Sequence, residues 1–357
     1  MDRCHGDAGG AVSGVQQVKV GPGEGDQRLD RWLKRRFPQL GQGRIERMCR
    51  KGELRVDGGR AKPATRVEEG QVVRVPPIPE DAAPAVRAAP SISEADARMM
   101  KATVLYSDAH LVALNKPPGL PTQGGTGQAR HVDGLAAALA DGGEAPRLVH
   151  RLDKDTSGVL LLARTREMAK ALAEAFRHRD TRKIYWAACA GVPSPRMGTV
   201  RYGLVKAPGH GKGGENEKMR TVHPNEIDSV PGAQRATTDY AVLDALGTRA
   251  AWLALVPVTG RTHQLRAHMA AMGHPIAGDG KYGGSGQENL GDGWGAGLGG
   301  AVSRKLHLHA RSLAITHPAT GARLTITAPL PEHMARTWEL LGWNPAEVPA
   351  DPFEDAA

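Results

Sequence analysis

One segment constrains this chain more than any other. His150-Arg151-Leu152-Asp153-Lys154-Asp155-Thr156-Ser157-Gly158 runs straight into Val159-Leu160-Leu161-Leu162-Ala163. Four formal charges fall between Arg151 and Asp155, and none falls between Val159 and Ala163. An unbroken apolar run of this kind reads as a strand buried on both faces. The charged loop ahead of it is then held at the edge of a rigid sheet, where reactive side chains concentrate. Asp153 and Asp155 are candidates for the paired carboxylates that glycoside hydrolysis needs. Their spacing argues against it, because two residues apart they sit too close to straddle a sugar. Asp155, followed by Thr156-Ser157-Gly158, reads as a turn former.

A second dense cluster is Thr259-Gly260-Arg261-Thr262-His263-Gln264-Leu265-Arg266-Ala267-His268-Met269, which follows a strand-like run from Ala251 to Val258. Gly260 marks a turn and the residues after it read as helical. On one helix Arg261 and Arg266 would point about 140° apart and serve different partners. His263, His268 and His274 are spaced by five and six residues, which does not put two imidazoles on one helical face, so no metal is expected. Leu306-His307-Leu308-His309 alternates like a strand, with histidines that face one side of a sheet rather than ligate a metal. Thr103–Tyr106 and Leu111–Lys116 read as two strands, and Pro117-Pro118-Gly119-Leu120-Pro121 forces an irregular loop after them.

Charge sets the N-terminal region apart. The chain of 357 residues carries a formal net charge of +9. Val18–Pro76 holds 15 Lys and Arg against 8 Asp and Glu, a net of +7. Leu29, Trp32, Leu33 and Phe37 form the apolar stripe of a helix, with Arg31, Lys34 and Arg35 off it. A second helix turns Ile45, Met48 and Cys49 inward and sets Arg44, Arg47 and Lys51 along one edge. Gly52–Gly59 reads as a strand and turn, and Gln71–Val75 as a closing strand. Any one of these arginines fits a solvated face; the set of Arg31, Lys34, Arg35, Arg44, Arg47 and Lys51 fits a surface that tracks phosphates.

The remaining segments are read from composition. Residues 77–100 are rich in Ala and Pro and read as a linker; 1–17 and 346–357 read as flexible tails. Pro208–Gln234 and Gly283–Gly300 read as loose, glycine-rich surface loops, either RNA contacts or plain insertions. Cys4, Cys49 and Cys189 fit neither a disulfide framework nor a zinc site. With no signal peptide and no apolar run long enough to span a membrane, a cytoplasmic protein is expected, with no membrane partner. It is expected to be a monomer.

The run Arg28-Leu29-Asp30-Arg31-Trp32-Leu33 with Arg50-Lys51-Gly52-Glu53-Leu54-Arg55-Val56-Asp57-Gly58 resembles the S-four-type RNA-binding domain. His150–Gly158 resembles the signature of the RluA family of pseudouridine synthases. Arg182-Lys183-Ile184-Tyr185, ending 32 residues after Asp153, resembles that family's tyrosine motif. Thr259–Arg266, Gly278–Gly283 and Asn115–Gly119 resemble its further motifs. Within the family the chain is most similar to the RluC subfamily, which acts on large-subunit ribosomal RNA.

The resemblance implies an α+β fold: a mostly antiparallel mixed sheet at residues 101–345 carries the active cleft, behind a small RNA-binding domain at 18–76. It implies an isomerase that turns specific uridines of 23S ribosomal RNA into pseudouridine with no cofactor. Asp153 would be the essential carboxylate, either attacking the ribose or removing a ribose proton. Arg266 would pair with it, since a cation keeps a carboxylate charged in a closed pocket. Tyr185 would stack on the flipped base, and Leu265 would close the pocket. Arg151 would hold a phosphate or wedge into the stack. His150, Lys116 and Arg261 are candidate backbone contacts. Two other readings are weighed beside it, the same chemistry on tRNA or another structured RNA, and a binding protein without catalysis. A nucleoside or glycoside hydrolase lacks its second acid.

Deleting Val18–Pro76 is expected to weaken RNA binding and to flatten its salt dependence. Binding titrations across a salt series check this; full affinity with an unchanged slope would contradict the docking role.

Overall fold

The computed structural model describes residues 14–78, 92–124, 130–177, 181–207, 218–283 and 300–354. The chain divides into two compact units, Met1–Ser91 and Ile92–Ala357.

In the first unit, β1 (Gln16–Lys19), β2 (Gln27–Arg28), α1 (Leu29–Arg36), α2 (Gln42–Lys51), β3 (Arg55–Val56), β4 (Gly59–Arg60), β5 (Arg66–Val67) and β6 (Val72–Val75) follow in order. A small sheet of order β1-β6-β3-β4 is entirely antiparallel. The apolar stripes of both helices pack with Leu54, Val67, Val73 and Val75 into one core. Gly52, at φ +72°, ends α2 in the left-handed region. Its basic residues divide by exposure: Arg31, Lys34, Arg35, Arg47 and Lys51 are exposed and Arg44 is half-buried.

The second unit runs α3 (Glu94–Ala102), β7 (Val104–Ser107), β8 (Leu111–Lys116), α4 (Val132–Leu135), β9 (Arg147–Leu148), β10 (Ser157–Ala163), α5 (Arg166–Ala175), β11 (Arg182–Ala190), β12 (Met197–Lys206), β13 (Met219–Val222), β14 (Gln234–Leu246), β15 (Ala250–Pro257), α6 (Gln264–Ala271), β16 (Leu308–Thr316), β17 (Arg323–Thr327) and α7 (Glu332–Leu341). One large sheet has the order β13-β12-β14-β15-β11-β16-β10-β8-β7, with β17 beside β16 and β9 beside β10. Among the described residues, only the short β10–β16 pairing is parallel. The class is α+β with a mostly antiparallel mixed sheet.

The central strands are covered on both faces. Trp186, Ala188, Trp252 and Ala254 turn to one side and pack with Trp338 of α7. Ala187, Cys189, Leu253 and Leu255 turn to the other and pack with Leu265 and Met269 of α6. Strand alternation therefore puts Tyr185, two residues before Ala187, on the α6 face. β10 is buried at all seven positions. Gly158 sits where β10 meets β16, at φ +110°, and a Cβ there would lie 2.2 Å from the Ala310 carbonyl oxygen. No side chain fits, so glycine is what lets the charged loop dock against β16.

Several expectations drawn from composition are corrected. The stretch assigned to a linker is helical from Glu94, because Ser93 caps α3 by accepting the Asp96 N–H and Met100 buries. The stretch assigned to a C-terminal tail is docked as far as Phe353. Asp351 accepts two hydrogen bonds from Arg182 at 2.6 and 2.8 Å, that guanidinium lies over Phe353, and Val348 joins the tryptophan core. Within the loop assigned to 208–234, Met219–Val222 pairs with β12. At the N-terminus, Gln16 and Gln17 already pair with β6. Residues 1–13, 79–91, 208–217, 284–299 and 355–357 of those segments lie outside the described residues.

His268, His307 and His309 are wholly buried, and burial pushes each of them down to about 4. Each still finds a partner: Thr238 for His268, Thr337 for His307, Ser157 for His309. The unfolded chain binds protons on them below about pH 6.5, while the folded chain does not until near pH 4. Stability is therefore lost as pH falls from about 6.5 towards 4, by up to about 1.4 kcal/mol per pH unit for each histidine. Urea unfolding at pH 7 and pH 5 checks this; equal stability at both would contradict it.

Candidate active site

The charged loop is fixed by its main chain. The Thr122 hydroxyl donates to the Leu152 carbonyl at 2.6 Å and accepts the Leu152 N–H at 3.2 Å. Lys116 Nζ donates to the carbonyl oxygens of Lys154, Leu120 and Pro117 at 2.8 to 2.9 Å. The Gly119 N–H shares the Lys154 carbonyl. Held this way on both sides, Asp153 is left to point its carboxylate into a cleft shared with Arg151, Tyr185, Arg261, His263, Leu265 and Arg266.

Lys116 is therefore not a backbone contact for RNA. It is 1% exposed, burial pushes its ammonium down to about 7, and all three of its N–H donors are taken by the loops it joins. His150 is corrected as well. Its Nε2 accepts the Leu161 N–H at 2.9 Å and its ring stacks on Phe176 at 4.4 Å, so it braces β10 from outside the cleft.

The opposite wall comes from α6 and the turn before it. Gln264 organises that turn: its Oε1 accepts the Thr259 hydroxyl and the Arg261 N–H, and its Nε2 donates to the Thr237 carbonyl. The helix begins only at Gln264. Arg261 thus lies on the turn, exposed, with Nε 3.4 Å from the Arg235 carbonyl, and the helical rotation expected between Arg261 and Arg266 does not apply. Leu265 is buried against Leu253 and Leu255 while lining the cleft. Arg151 is exposed at its rim.

Arg266 bridges two carboxylates. Its Nε and Nη2 donate to the two oxygens of Asp279 at 2.7 Å each, and its Nη1 stands 3.6 Å from Asp153 Oδ2. The Asp279 side chain is fully enclosed, while that of Asp153 is 30% exposed. The first is a structural anchor and the second is open to a ligand. Gly278 allows the anchor: at φ +73°, its Cβ would fall 1.9 Å from the Lys305 carbonyl oxygen. Sequence reasoning paired Arg266 with Asp153 alone and missed Asp279, although Gly278-Asp279-Gly280 carries the signal of an acidic residue on a forced turn. It also missed Thr122 and Gln264, neutral residues whose roles depend on distant partners. Tyr185 lies beside the carboxylate, and burial, then Asp153, push its phenol well above the usual range.

A sequence profile described as RNA pseudouridylate synthase matches residues 110–271, and an S4 domain profile matches 27–73. The chain is 33% identical over 326 residues to "Ribosomal large subunit pseudouridine synthase C" of Vibrio cholerae, covering 90% of this chain and 95% of that one. The relative of the same name from Escherichia coli K12 is 34% identical over 327 residues, covering 92% and 97%. The chain belongs to the RNA pseudouridine synthase family. Among solved structures, "Human RNA Pseudouridylate Synthase Domain Containing 4" matches with a TM-score of 0.54 at 32% identity, covering 69% of this chain and 95% of that one.

The synthase is an isomerase that acts on RNA, and its S4 domain is the unit that carries the two basic helices. No described helix is long and apolar enough to cross a membrane.

Proposed function

We propose that this synthase isomerises specific uridines of large-subunit (23S) ribosomal RNA, with Asp153 as its essential carboxylate. The observation that carries the reading is the cleft itself: one carboxylate open to a ligand beside a guanidinium fixed from behind. The substrate class rests on the names of the relatives that match it nearly end to end.

In the reaction the bond from C1′ to N1 of uracil breaks, the base turns, and C1′ bonds to C5. C5 loses its proton and N1 gains one, so nothing is consumed and no cofactor is called for. Asp153 either attacks C1′ or takes a ribose proton to release the base. Arg266 Nη1, 3.6 Å from Asp153 Oδ2, sets a fixed positive charge beside it. Tyr185 stacks on the flipped uracil, a contact of about 1–3 kcal/mol, and Leu265 closes the apolar side. Flipping costs a few kcal/mol; Arg151 at the rim offsets it by holding a phosphate or wedging into the stack, and Arg261 contacts the RNA backbone. In the S4 unit Arg31, Lys34, Arg35, Arg44, Arg47 and Lys51 dock structured RNA by its backbone. The protein works in the cytoplasm as a monomer.

Tritium release from RNA labelled at C5 of uridine tests the reading. Wild type is expected to release tritium from transcribed large-subunit RNA, and Asp153→Asn to release none above background. Equal release by both would remove Asp153 from its role. Release only from tRNA or small-subunit RNA would move the substrate, and release from none of them would favour binding without catalysis.

A further inference from the structure

His263 lines the cleft and stands against the reacting group. Its Nε2 lies 3.8 Å from Asp153 Oδ2, and its side chain is 8% exposed. Among the described residues of its unit it is the one non-glycine with positive φ, at +51°. That backbone is uncommon for any residue but glycine, and strain of this sort persists where the surroundings enforce it, often at functional sites.

The other ring nitrogen is held. His263 Nδ1 is 2.9 Å from Tyr282 Oη, which also accepts the Met219 N–H at 2.9 Å. Asp153 Oδ2 beside Nε2 can only accept, and the Met219 N–H already takes one lone pair of the phenol oxygen, so the tautomer that suits both sides has the phenol donating its proton to Nδ1. Burial, then the Asp279 and Asp153 charges, favour the protonated phenol, although Met219 and Arg266 act the other way; it is pushed up to about 12. Nδ1 is then the acceptor, and the neutral ring carries its proton on Nε2, facing Asp153. Burial lowers the basicity of His263; Arg266 and Lys281 lower it further, while Asp153 and Asp279 oppose them. The Tyr282 ring itself is fixed, with the Arg266 guanidinium 5.3 Å and Lys218 Nζ 5.6 Å from its centroid.

We propose that His263 is a positioning residue for Asp153, held by Tyr282 as a neutral Nε2–H donor. Two donors, Arg266 Nη1 and His263 Nε2, converge on the same oxygen, Oδ2. They anchor that oxygen and leave Oδ1 as the one presented to the ribose. Contacts of 3.6 and 3.8 Å tighten to hydrogen bonds with a small rotation of the carboxylate when RNA seats, a common change between free and substrate-bound sites. The arrangement is Tyr–His–Asp, with no net charge added beyond that of Arg266.

The inference rests on the reaction proposed above, and its test separates the two. Wild type and Asp153→Asn, assayed by C5 tritium release, establish the reaction without reference to His263. The variants are then His263→Gln and His263→Asn. The Gln amide nitrogen reaches the place of Nε2, whereas the Asn amide nitrogen reaches that of Nδ1. Asn is also the residue that best tolerates a left-handed backbone. A purely structural His263 therefore favours His263→Asn, and a donor role favours His263→Gln. We expect kcat within about tenfold of wild type for His263→Gln and about a hundredfold lower for His263→Asn, with KM little changed in both. Tyr282→Phe keeps the ring against Arg266 and removes the hydroxyl, and with it both the partner of Nδ1 and the acceptor of the Met219 N–H; kcat is expected to fall about tenfold. Thermal unfolding identifies any variant that fails to fold. His263→Asn as active as wild type, an equal loss in both folded His263 variants, or an unaffected Tyr282→Phe would each overturn the proposal.

Discussion

The arrangement depends on one guanidinium serving two carboxylates. Arg266 meets Asp279 through two hydrogen bonds of 2.7 Å in full enclosure, and only its third nitrogen is left to face Asp153. A buried bidentate pair of this geometry is expensive to break, about 3–5 kcal/mol when one partner is lost. The planar fork fixes the direction of the third nitrogen as well as its charge. Asp153 therefore faces a cation that cannot swing away, and it keeps enough exposure to meet a substrate.

The same logic runs through the rest of the site. The Asp153 loop is held by its carbonyls, through Lys116 and Thr122, so that its side chains are spared for the cleft. Gly158 and Gly278 stand where two backbones touch, and each lets one of the two aspartates arrive. The α6 turn is assembled by Gln264. Tyr185 reaches the site because strand alternation turns it away from the tryptophan core that holds its neighbour Trp186.

Much of this was legible in the sequence, for reasons that can be named. A charged loop ahead of an apolar strand has one physical solution, and β10 adopts it. The stripes of α1 and α2 follow directly from a 3.6-residue period. What was not legible depends on long-range partners. Lys116 and His150 carry the polar chemistry of ligand contacts, and only the fold reveals that carbonyls and the β10 backbone consume it. Asp279 closes on Arg266 across 13 positions of sequence, a pairing that local pattern does not encode. Composition misled most at segment ends: Ala- and Pro-rich text hid the start of α3, and an acidic C-terminal stretch hid the docking of Asp351 onto Arg182.

The most direct test of the account is single-turnover pseudouridine formation by Arg266→Lys, with RNA affinity measured alongside. Lysine keeps the charge but cannot bridge two carboxylates. The rate is expected to fall about a hundredfold, equivalent to about 2.7 kcal/mol of barrier, with affinity for RNA within about threefold of wild type. A rate close to wild type would contradict the account, because charge alone would then suffice and the fork between Asp279 and Asp153 would have no part in the chemistry.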